Sequence, residues 1–463
     1  MGSRQRSTGK KNKSNKAGRA LRVIREKVAG IDLGSQQHWV CCPAREEAEP
    51  NVRTFGTTTP ELEKLADWLE SEAIESVAME ATGIYWIPLY ELLEARSIEV
   101  VLVNARQLHH VPGRKTDMLD CQWLQLLHSC GLLRGSFRPA ESICQLRALQ
   151  RERANMVTEA ARAVQRMQKA LDQMNVQVHR AVSDLTGKTG LAIVRAIVEG
   201  ERDPSRLATF RDKRCKKAEA QIAEHLTGNW RTEHLFNLKM ALRLYEEVQQ
   251  IVAAYDQEIM RLLVQLQAPE RAHLDLMPHP NPAKEKAIKR RREQSLRTAL
   301  WRFAGVDLMR IDGISGGAAQ VVLSEVGLDL QAFPTEKHFV SWLRLSPKTA
   351  FSAGKPLPKK NKGTGATRVA GILRMAALSL ANSSSALGAY FRRIARRKGG
   401  AAAVFATARK LATYIYRMLR FGHDYLDEGA QAYEQRFQQK RLASMRTFAK
   451  QIGYELVPVA ATG

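Results

Sequence analysis

A chain of 463 residues with 72 lysines and arginines against 47 acidic residues has a formal net charge of +25. This balance favours a polyanionic partner, through phosphate neutralisation and counterion release. The 44% hydrophobic content excludes global disorder, and no apolar run approaches the roughly 18 residues that a membrane helix needs. The six cysteines form no CxxC pair, which predicts reduced thiols in a cytosolic protein rather than zinc ligands or disulfides.

The N-terminal part of the chain combines a basic arm with an α/β pattern. Residues 1–27 hold ten lysines or arginines and a single acid, which is typical of a disordered arm. The pattern of residues 28–140 predicts alternating strands and helices, in the order of an RNase-H-like fold. The predicted strands are Val28–Asp32, His38–Cys42, Val52–Thr57, Glu75–Glu80 and Ile98–Asn104, and the predicted helices are Pro60–Ser71, Ile84–Ala95 and Thr116–Cys130.

Residues 141–267 carry two apolar seams with coiled-coil spacing. One seam is Val157, Ala160, Val164, Met167, Leu171, Met174 and Val178, and the other is Ala241, Tyr245, Val248, Val252, Tyr255, Ile259, Leu262 and Leu266. Each seam needs a partner helix, either within an antiparallel pair or between protomers. Helices of about 40 residues are long for a compact bundle, which favours projecting arms and oligomerisation.

The C-terminal half is predicted to be all-α. Residues 268–299 form a basic linker that contains the MPHPNP break, residues 300–428 a helical domain, and residues 429–463 a helical tail. The segment Ile311–Gly316 resembles a helix-hairpin-helix turn, in which Gly313 and Gly316 let backbone N–H groups approach a phosphate. A plain helix–helix turn is the alternative. Residues 337–423 contain no Asp or Glu but 18 lysines and arginines, which indicates a phosphate-facing domain.

Four acidic residues are the candidate catalytic groups. Asp32 and Glu80 each lie at the end of an apolar predicted strand, and Asp117 and Asp120 lie three residues apart on one predicted helix. Carboxylates that converge repel one another unless a cation neutralises them, and Mg²⁺ prefers such oxygen ligands. A pair of ions would stabilise the attacking and leaving oxygens of a phosphodiester. Four unrelated surface acids remain the alternative at this point.

A basic loop supplies a candidate nucleophile. Ser352 lies in the Gly- and Pro-rich segment 346–365, between Lys348 and Lys355, and a serine that attacks phosphorus needs such cations around an exposed hydroxyl. A serine that only contacts a phosphate is the alternative. The residues expected to bind nucleic acid are Arg114, Lys115, Gly313, Gly316, Lys348, Lys355, Lys359, Lys360, Lys362 and Arg368.

These segments resemble the transposases of the insertion sequence 110 family, the DEDD-type recombinases. The resemblance runs through GIDLGSQQHWV, AMEATGIYWIPL and VNARQLHHVPGRKTDMLDCQWLQLL, which contain the four acids. It continues in IDGISGGAAQVVLSEVG, FVSWLRLSPKTAFSAGK and ATRVAGILRMAA. It therefore covers nearly the whole chain.

The resemblance implies a RuvC-like N-terminal domain, a coiled-coil insertion and a transposase domain. It implies Mg²⁺, or Mn²⁺ in its place, at Asp32, Glu80, Asp117 and Asp120, with Ser352 as the nucleophile that links covalently to DNA. The implied partners are double-stranded DNA at the element ends and target, and a structured non-coding bridge RNA. The implied assembly is a homodimer or tetramer, with no membrane association, in the bacterial cytoplasm at the nucleoid.

The leading hypothesis is thus a bridge-RNA-guided DNA transposase or recombinase. A RuvC-like structure-selective endonuclease that uses metal-activated water is the second hypothesis, in which Ser352 takes no part. A non-catalytic nucleic-acid-binding scaffold is the third, and the acidic quartet within a basic chain speaks against it.

Overall fold

The computed structural model describes residues 22–44, 51–81, 83–104, 117–215, 217–346, 351–352, 355–356, 367–423, 425 and 427–457, without the side chains of residues 117, 351, 352, 355 and 356. The chain divides into two compact units, Met1–Arg138 and Pro139–Gly463. No helix in these ranges is long and apolar enough to cross a membrane.

Unit 1 is built on a mixed sheet. Its described strands are β1 (Val28–Leu33), β2 (Gln37–Cys42), β3 (Asn51–Gly56), β4 (Ser76–Glu80) and β5 (Glu99–Val103), and its helices are α1 (Thr59–Ser71), α2 (Trp86–Ala95) and α3 (Asp117–Ser129). The strand order is β3-β2-β1-β4-β5. The β1–β2 and β2–β3 pairs are antiparallel, and the β1–β4 and β4–β5 pairs are parallel. The predicted α/β layout is confirmed, and the predicted element ends differ from the observed ones by two residues or fewer.

The two faces of this sheet are covered by different helices. Ile31, Val77 and Met79 are fully buried in one core with the apolar residues of α1 and α2. Successive residues of a strand point to opposite faces, so Gly30 and Ala78 face the other way. That second face packs against α3, because a Cβ at Gly30 would lie 2.3 Å from the carbonyl oxygen of Cys121.

Unit 2 is almost entirely helical. Its described helices are α4 (Glu141–Gln173), α5 (Val178–Ala181), α6 (Lys188–Glu199), α7 (Pro204–Thr209), α8 (Glu219–His225), α9 (Thr232–Gln265), α10 (Pro282–Arg291), α11 (Gln294–Ala304), α12 (Gly316–Val326), α13 (Glu336–Trp342), α14 (Arg368–Ser379), α15 (Ala386–Lys398), α16 (Gly400–Phe421) and α17 (Gly429–Gln451). A short hairpin of β6 (Phe351–Ser352) and β7 (Lys355–Pro356) lies between α13 and α14.

The two predicted seams pack against each other within one chain. Ala160 of α4 packs against Val248 and Val252 of α9. Arg153, nearer the start of α4, pairs with Asp256, nearer the end of α9, with 3.1 Å between Nη2 and Oδ2. The pair is therefore antiparallel, which is one of the two arrangements that the heptad spacing allowed. Intrachain packing accounts for the buried seam residues without a second protomer.

The predicted linker at residues 268–299 contains α10 and the first part of α11. Asn281 accepts hydrogen bonds from the N–H groups of Ala283 and Lys284, and Pro282 occupies the first turn of α10, a favourable start for a helix. Arg297 of α11 is only 1% exposed and donates to Asp307 at 2.7 Å. The basic run lies largely in α10, and Glu285 of this helix accepts a hydrogen bond from the buried Arg297 at 3.2 Å, a contact that charge density alone did not predict.

Candidate carboxylate site and nucleic-acid interface

Asp32 and Glu80 lie side by side at the carboxyl ends of β1 and β4, two adjacent strands of the unit 1 sheet. The parallel β1–β4 register pairs Ile31 with Met79, so Asp32 and Glu80 occupy the next position on each strand. Because residues in register on parallel strands point to the same face, both carboxylates lie on the face that carries α3. Both side chains are half-buried, which leaves their oxygens access to a ligand from solvent.

The direction of α3 brings its first turn to the same edge. Cys121 contacts Gly30, whereas Gln125, one turn later, donates to the carbonyl oxygen of Val28 at 3.4 Å. The helix therefore runs opposite to β1. Its buried C-terminal end is fixed on β4, where His128 Nε2 and Ser76 Oγ are 2.9 Å apart. The N-terminal end of α3, with Asp117 and Asp120, consequently lies towards the carboxyl ends of β1 and β4.

The third described carboxylate is Asp120, which is half-buried in the first turn of α3. Asp117 begins the helix, but its side chain lies outside the described part of the structure. Among the described side chains, no three histidines, cysteines or acids form a group that could hold a metal ion. The fold places Asp32 and Glu80 on adjacent strands and directs the first turn of α3 towards the same strand ends, and Asp32, Glu80 and Asp120 are the acids whose side chains it describes.

A pair of thiols lies near Asp32, and the sequence patterns did not reveal it. A hydrogen bond with Cys41, together with burial, raises the pKa of the Cys121 thiol well above its usual value, and the nearby charge of Asp32 adds to this effect. Cys41 is the β2 residue that pairs with Gly30. The effect of Asp32 on Cys121 of α3 agrees with the position of this helix on the same face of the sheet. The spacing of Gly30 two residues before Asp32 was the one local signal of this contact.

The predicted nucleophile lies in the β6–β7 hairpin. Ser352 pairs with Lys355 in its antiparallel register, so the backbone holds the serine and a lysine opposite each other. The side chains of both residues lie outside the described structure. The predicted nucleic-acid contacts that also fall outside the described residues are Arg114, Lys115, Lys348, Lys359, Lys360 and Lys362.

The glycine turn before α12 has a packing role. Gly313 has a φ of +87°, and a Cβ there would lie 2.9 Å from the carbonyl oxygen of Ala376 in α14. Ser315 caps α12 by accepting from the N–H of Ala318 at 3.3 Å. Gly316 begins the helix, and a Cβ at this position would contact the side chain of Leu296. These contacts explain the glycines without a ligand, so phosphate binding at this turn stays a prediction.

Arg368, the last predicted contact, belongs to an ionic cluster around Glu325. Its Nε is 3.9 Å from the Glu325 carboxylate. Arg151 makes two hydrogen bonds to the same carboxylate, at 2.8 and 2.7 Å, and Arg147 donates to the Glu325 carbonyl oxygen at 2.6 Å. Three arginines around one buried acid join α4, α12 and α14, so Arg368 has a structural partner in addition to any phosphate.

Comparison with known families gives two matches. A DEDD transposase model of the IS110 type, described as a transposase, matches residues 29–176. A second model, described as the transposase IS116/IS110/IS902 family, matches residues 306–392. No curated protein matches the chain. The first match contains the four acids and the second contains Ser352, and together they span about half of the chain, which therefore belongs to the IS110 family of transposases.

Proposed function

We propose that this transposase cuts and rejoins DNA strands through Ser352, assisted by a divalent metal ion held by Asp32, Glu80, Asp117 and Asp120. The observation that carries the proposal is the β1–β4 register, which sets Asp32 and Glu80 next to each other on one face. The first turn of α3 lies at the same edge. The sheet order, with three antiparallel strands followed by two parallel ones, supports an RNase-H-like, RuvC-type domain.

The donor set fits a hard divalent ion. Carboxylate oxygens are the ligands that Mg²⁺ prefers, and Mn²⁺ accepts the same set. Asp32, Glu80 and Asp120 are half-buried, and carboxylates brought together around a phosphate would repel one another unless a cation offset their charge. Such an ion would neutralise charge on a phosphodiester at the carboxyl edge of β1 and β4.

The serine step has a simple chemical balance. The Oγ of Ser352 would form a bond to phosphorus and lose its proton, while the bond from phosphorus to one deoxyribose oxygen breaks and that oxygen gains a proton. The phosphoserine ester conserves the energy of the phosphodiester, so a second DNA hydroxyl can reverse the step and join a new strand. Lys355, opposite Ser352 in the hairpin, would stabilise the charge that develops on the phosphate oxygens.

The remaining parts of the proposal concern partners. The net charge of +25 and the acid-free segment 337–423 support binding to both DNA and a structured guide RNA. Val264 of α9 and Phe236 at its start are 51% and 62% exposed, so α9 keeps apolar surface that a second protomer would cover. We infer a homo-oligomer in which carboxylates and serine act on the same DNA.

Trapping of a covalent adduct tests the serine role. Wild-type protein, incubated with element-end DNA, guide RNA and Mg²⁺ and then denatured, should retain DNA on the polypeptide. Ser352→Ala should lose this adduct and strand exchange but keep nucleic-acid binding, whereas Ser346→Ala in the same basic region should behave as wild type. Recombination by Ser352→Ala would refute the nucleophile.

The carboxylate site is tested separately. Asp32→Asn should abolish strand exchange, because it removes a negative ligand from the edge of the sheet. Glu91→Gln, at an exposed acid of α2, is the matched control and should retain activity. Strand exchange by Asp32→Asn at the wild-type rate would contradict the proposed metal site. Mg²⁺-dependent cleavage without an adduct would instead identify a nuclease that uses water, and binding without any cleavage would identify a scaffold.

A further inference from the structure

A concave pocket with an aromatic and cationic lining lies between α15, α16 and α17. Its volume is about 350 Å³, at the lower end of the range of about 300–1,000 Å³ for small-molecule sites. This pocket, called the tyrosine pocket below, is lined by Ala386, Leu387, Tyr390, Arg393, Lys410, Tyr414, Glu428, Tyr433, Arg436, Phe437 and Lys440. It contains none of the residues assigned to the carboxylate site or the basic loop.

The charges of the tyrosine pocket are unbalanced. Its lining has four cations but one acid, Glu428, which pairs with Arg436. Within the described ranges, Arg393, Lys410 and Lys440 make no ion pair with a carboxylate. Burial and the neighbouring charges of Arg417 and Arg436 lower the pKa of Lys410, although the charges of Glu336 and Glu428 oppose this shift. An anion in the pocket would offset this excess of positive charge.

The aromatic side chains surround one of these cations. The guanidinium of Arg393 lies 4.0 Å from the ring centroid of Phe437, 5.3 Å from that of Tyr390 and 5.6 Å from that of Tyr433. Its Nε is buried without a hydrogen-bond partner in the described structure. The ammonium of Lys410 lies 5.0 Å from the Tyr414 ring. Rings that alternate with cations are the arrangement by which proteins hold unstacked bases and their phosphates.

We propose that the tyrosine pocket binds one unstacked nucleotide of a single-stranded nucleic acid. The phosphate lies against Lys410, Arg436 and Lys440, and the base lies against the tyrosine rings. The pocket is too small for a duplex, whose bases are in any case stacked and shielded. The proposal rests on the nucleic-acid partner of the proposed function, and it assigns to α15–α17 a recognition role that is independent of cleavage.

Binding of oligonucleotides to the full-length protein, without Mg²⁺, tests the proposal. The probes are labelled oligothymidylate, oligouridylate and an abasic strand of equal length. Lys410→Gln combined with Lys440→Gln should make the negative slope of log affinity against log salt shallower by about 0.7, the contribution of one single-strand phosphate. Tyr433→Leu should weaken binding to the normal strands by roughly tenfold and leave the abasic strand almost unaffected.

Two exposed cations farther along α17 give the matched control. Arg446→Gln combined with Lys450→Gln removes the same number of positive charges, from positions of α17 that do not line the pocket. Equal salt slopes in the two double variants, or equal losses for normal and abasic strands in Tyr433→Leu, would overturn the proposal. Tighter binding of oligouridylate than oligothymidylate assigns the nucleotide to RNA, and the reverse assigns it to DNA. Because the assay involves no cleavage, a failed Ser352 or Asp32 test leaves its result unaffected.

Discussion

At the scale of single residues, the candidate site depends on a glycine beside a carboxylate. Gly30 lies two positions before Asp32 on the same face of β1, and the backbone of α3 approaches it directly. The absence of a side chain at this position sets the distance between the sheet and the helix that carries Asp117 and Asp120. Packing at Gly30 thus affects the distance between Asp32 and the acids of α3.

Gly30→Ala should displace α3. The new Cβ would lie 2.3 Å from both the Cys121 oxygen and the Gln125 nitrogen, a conflict with backbone that no rotamer relieves. We expect a loss of about 1–3 kcal/mol in the free energy of unfolding, together with reduced strand exchange. Urea unfolding and the adduct assay measure the two effects.

The control is Gly371→Ala in α14, where a Cβ meets nothing within 4 Å. Since alanine is the better helix former, this variant should be neutral or more stable by about 0.5–1 kcal/mol. A Gly30→Ala protein as stable as wild type would show that α3 does not need this close contact.

At the scale of elements, the α4–α9 pair supports unit 2. Met167, Leu171 and Leu238 are fully buried in the core that the pair shares with α6–α8. Val157 is 44% exposed, although it belongs to the same predicted seam, and it lines an open cavity with α10, α12 and α14 residues. Heptad spacing therefore located α4 and α9, but the predicted first seam continues past the end of α4 to Val178, which begins α5.

Met167→Ala should destabilise unit 2 by about 2–5 kcal/mol, because it leaves a cavity in a fully buried position. Val157→Ala, ten residues earlier on the same helix, should cost less than about 0.5 kcal/mol. Thermal unfolding of the two variants beside wild type measures the difference. Similar costs for both would mean that the seam is buried along its length, as in a pairing between protomers.

At the scale of the whole molecule, buried histidines make stability depend on pH in both units. Burial lowers the pKa of His38 and His128 in unit 1 and of His279 in unit 2 from the ordinary value of 6.5. The unfolded chain therefore binds protons more readily than the folded protein at these three positions. Stability must fall as the pH drops below 6.5.

The fall in the free energy of unfolding between about pH 7 and about pH 5.5 should be smaller in His38→Leu than in wild type, because leucine takes up no proton. Carboxylates with a lowered pKa, such as Glu285 and Glu258, change the free energy of unfolding only below their ordinary pKa of 4.5. That range lies outside this window. Urea midpoints at several pH values measure the slope. The same substitution at exposed His423 is the control, and equal slopes for the two variants would contradict the assignment.

Much of unit 1 and of its candidate site was predictable from local patterns. Strand ends were located because apolar runs stop at polar or turn residues, and this placed Asp32 and Glu80 at the carboxyl ends of β1 and β4. Ser352 and the four acids were proposed from motifs, and their roles stay predictions. The Cys41–Cys121 contact and the ion pairs around Glu325 were not, because their partners are far apart in the chain.

The sequence alone determined the elements, the charge and the family, since periodicity, composition and motifs are properties of neighbouring residues. Only the tertiary structure decided which surfaces meet. Alternation on a strand shows which face is apolar but not that α3 covers the face of Gly30. Heptad spacing likewise shows that α4 needs a partner but not that α9 of the same chain provides it. Packing selects among long-range partners through shape and burial, and those are fixed only when the whole chain has folded.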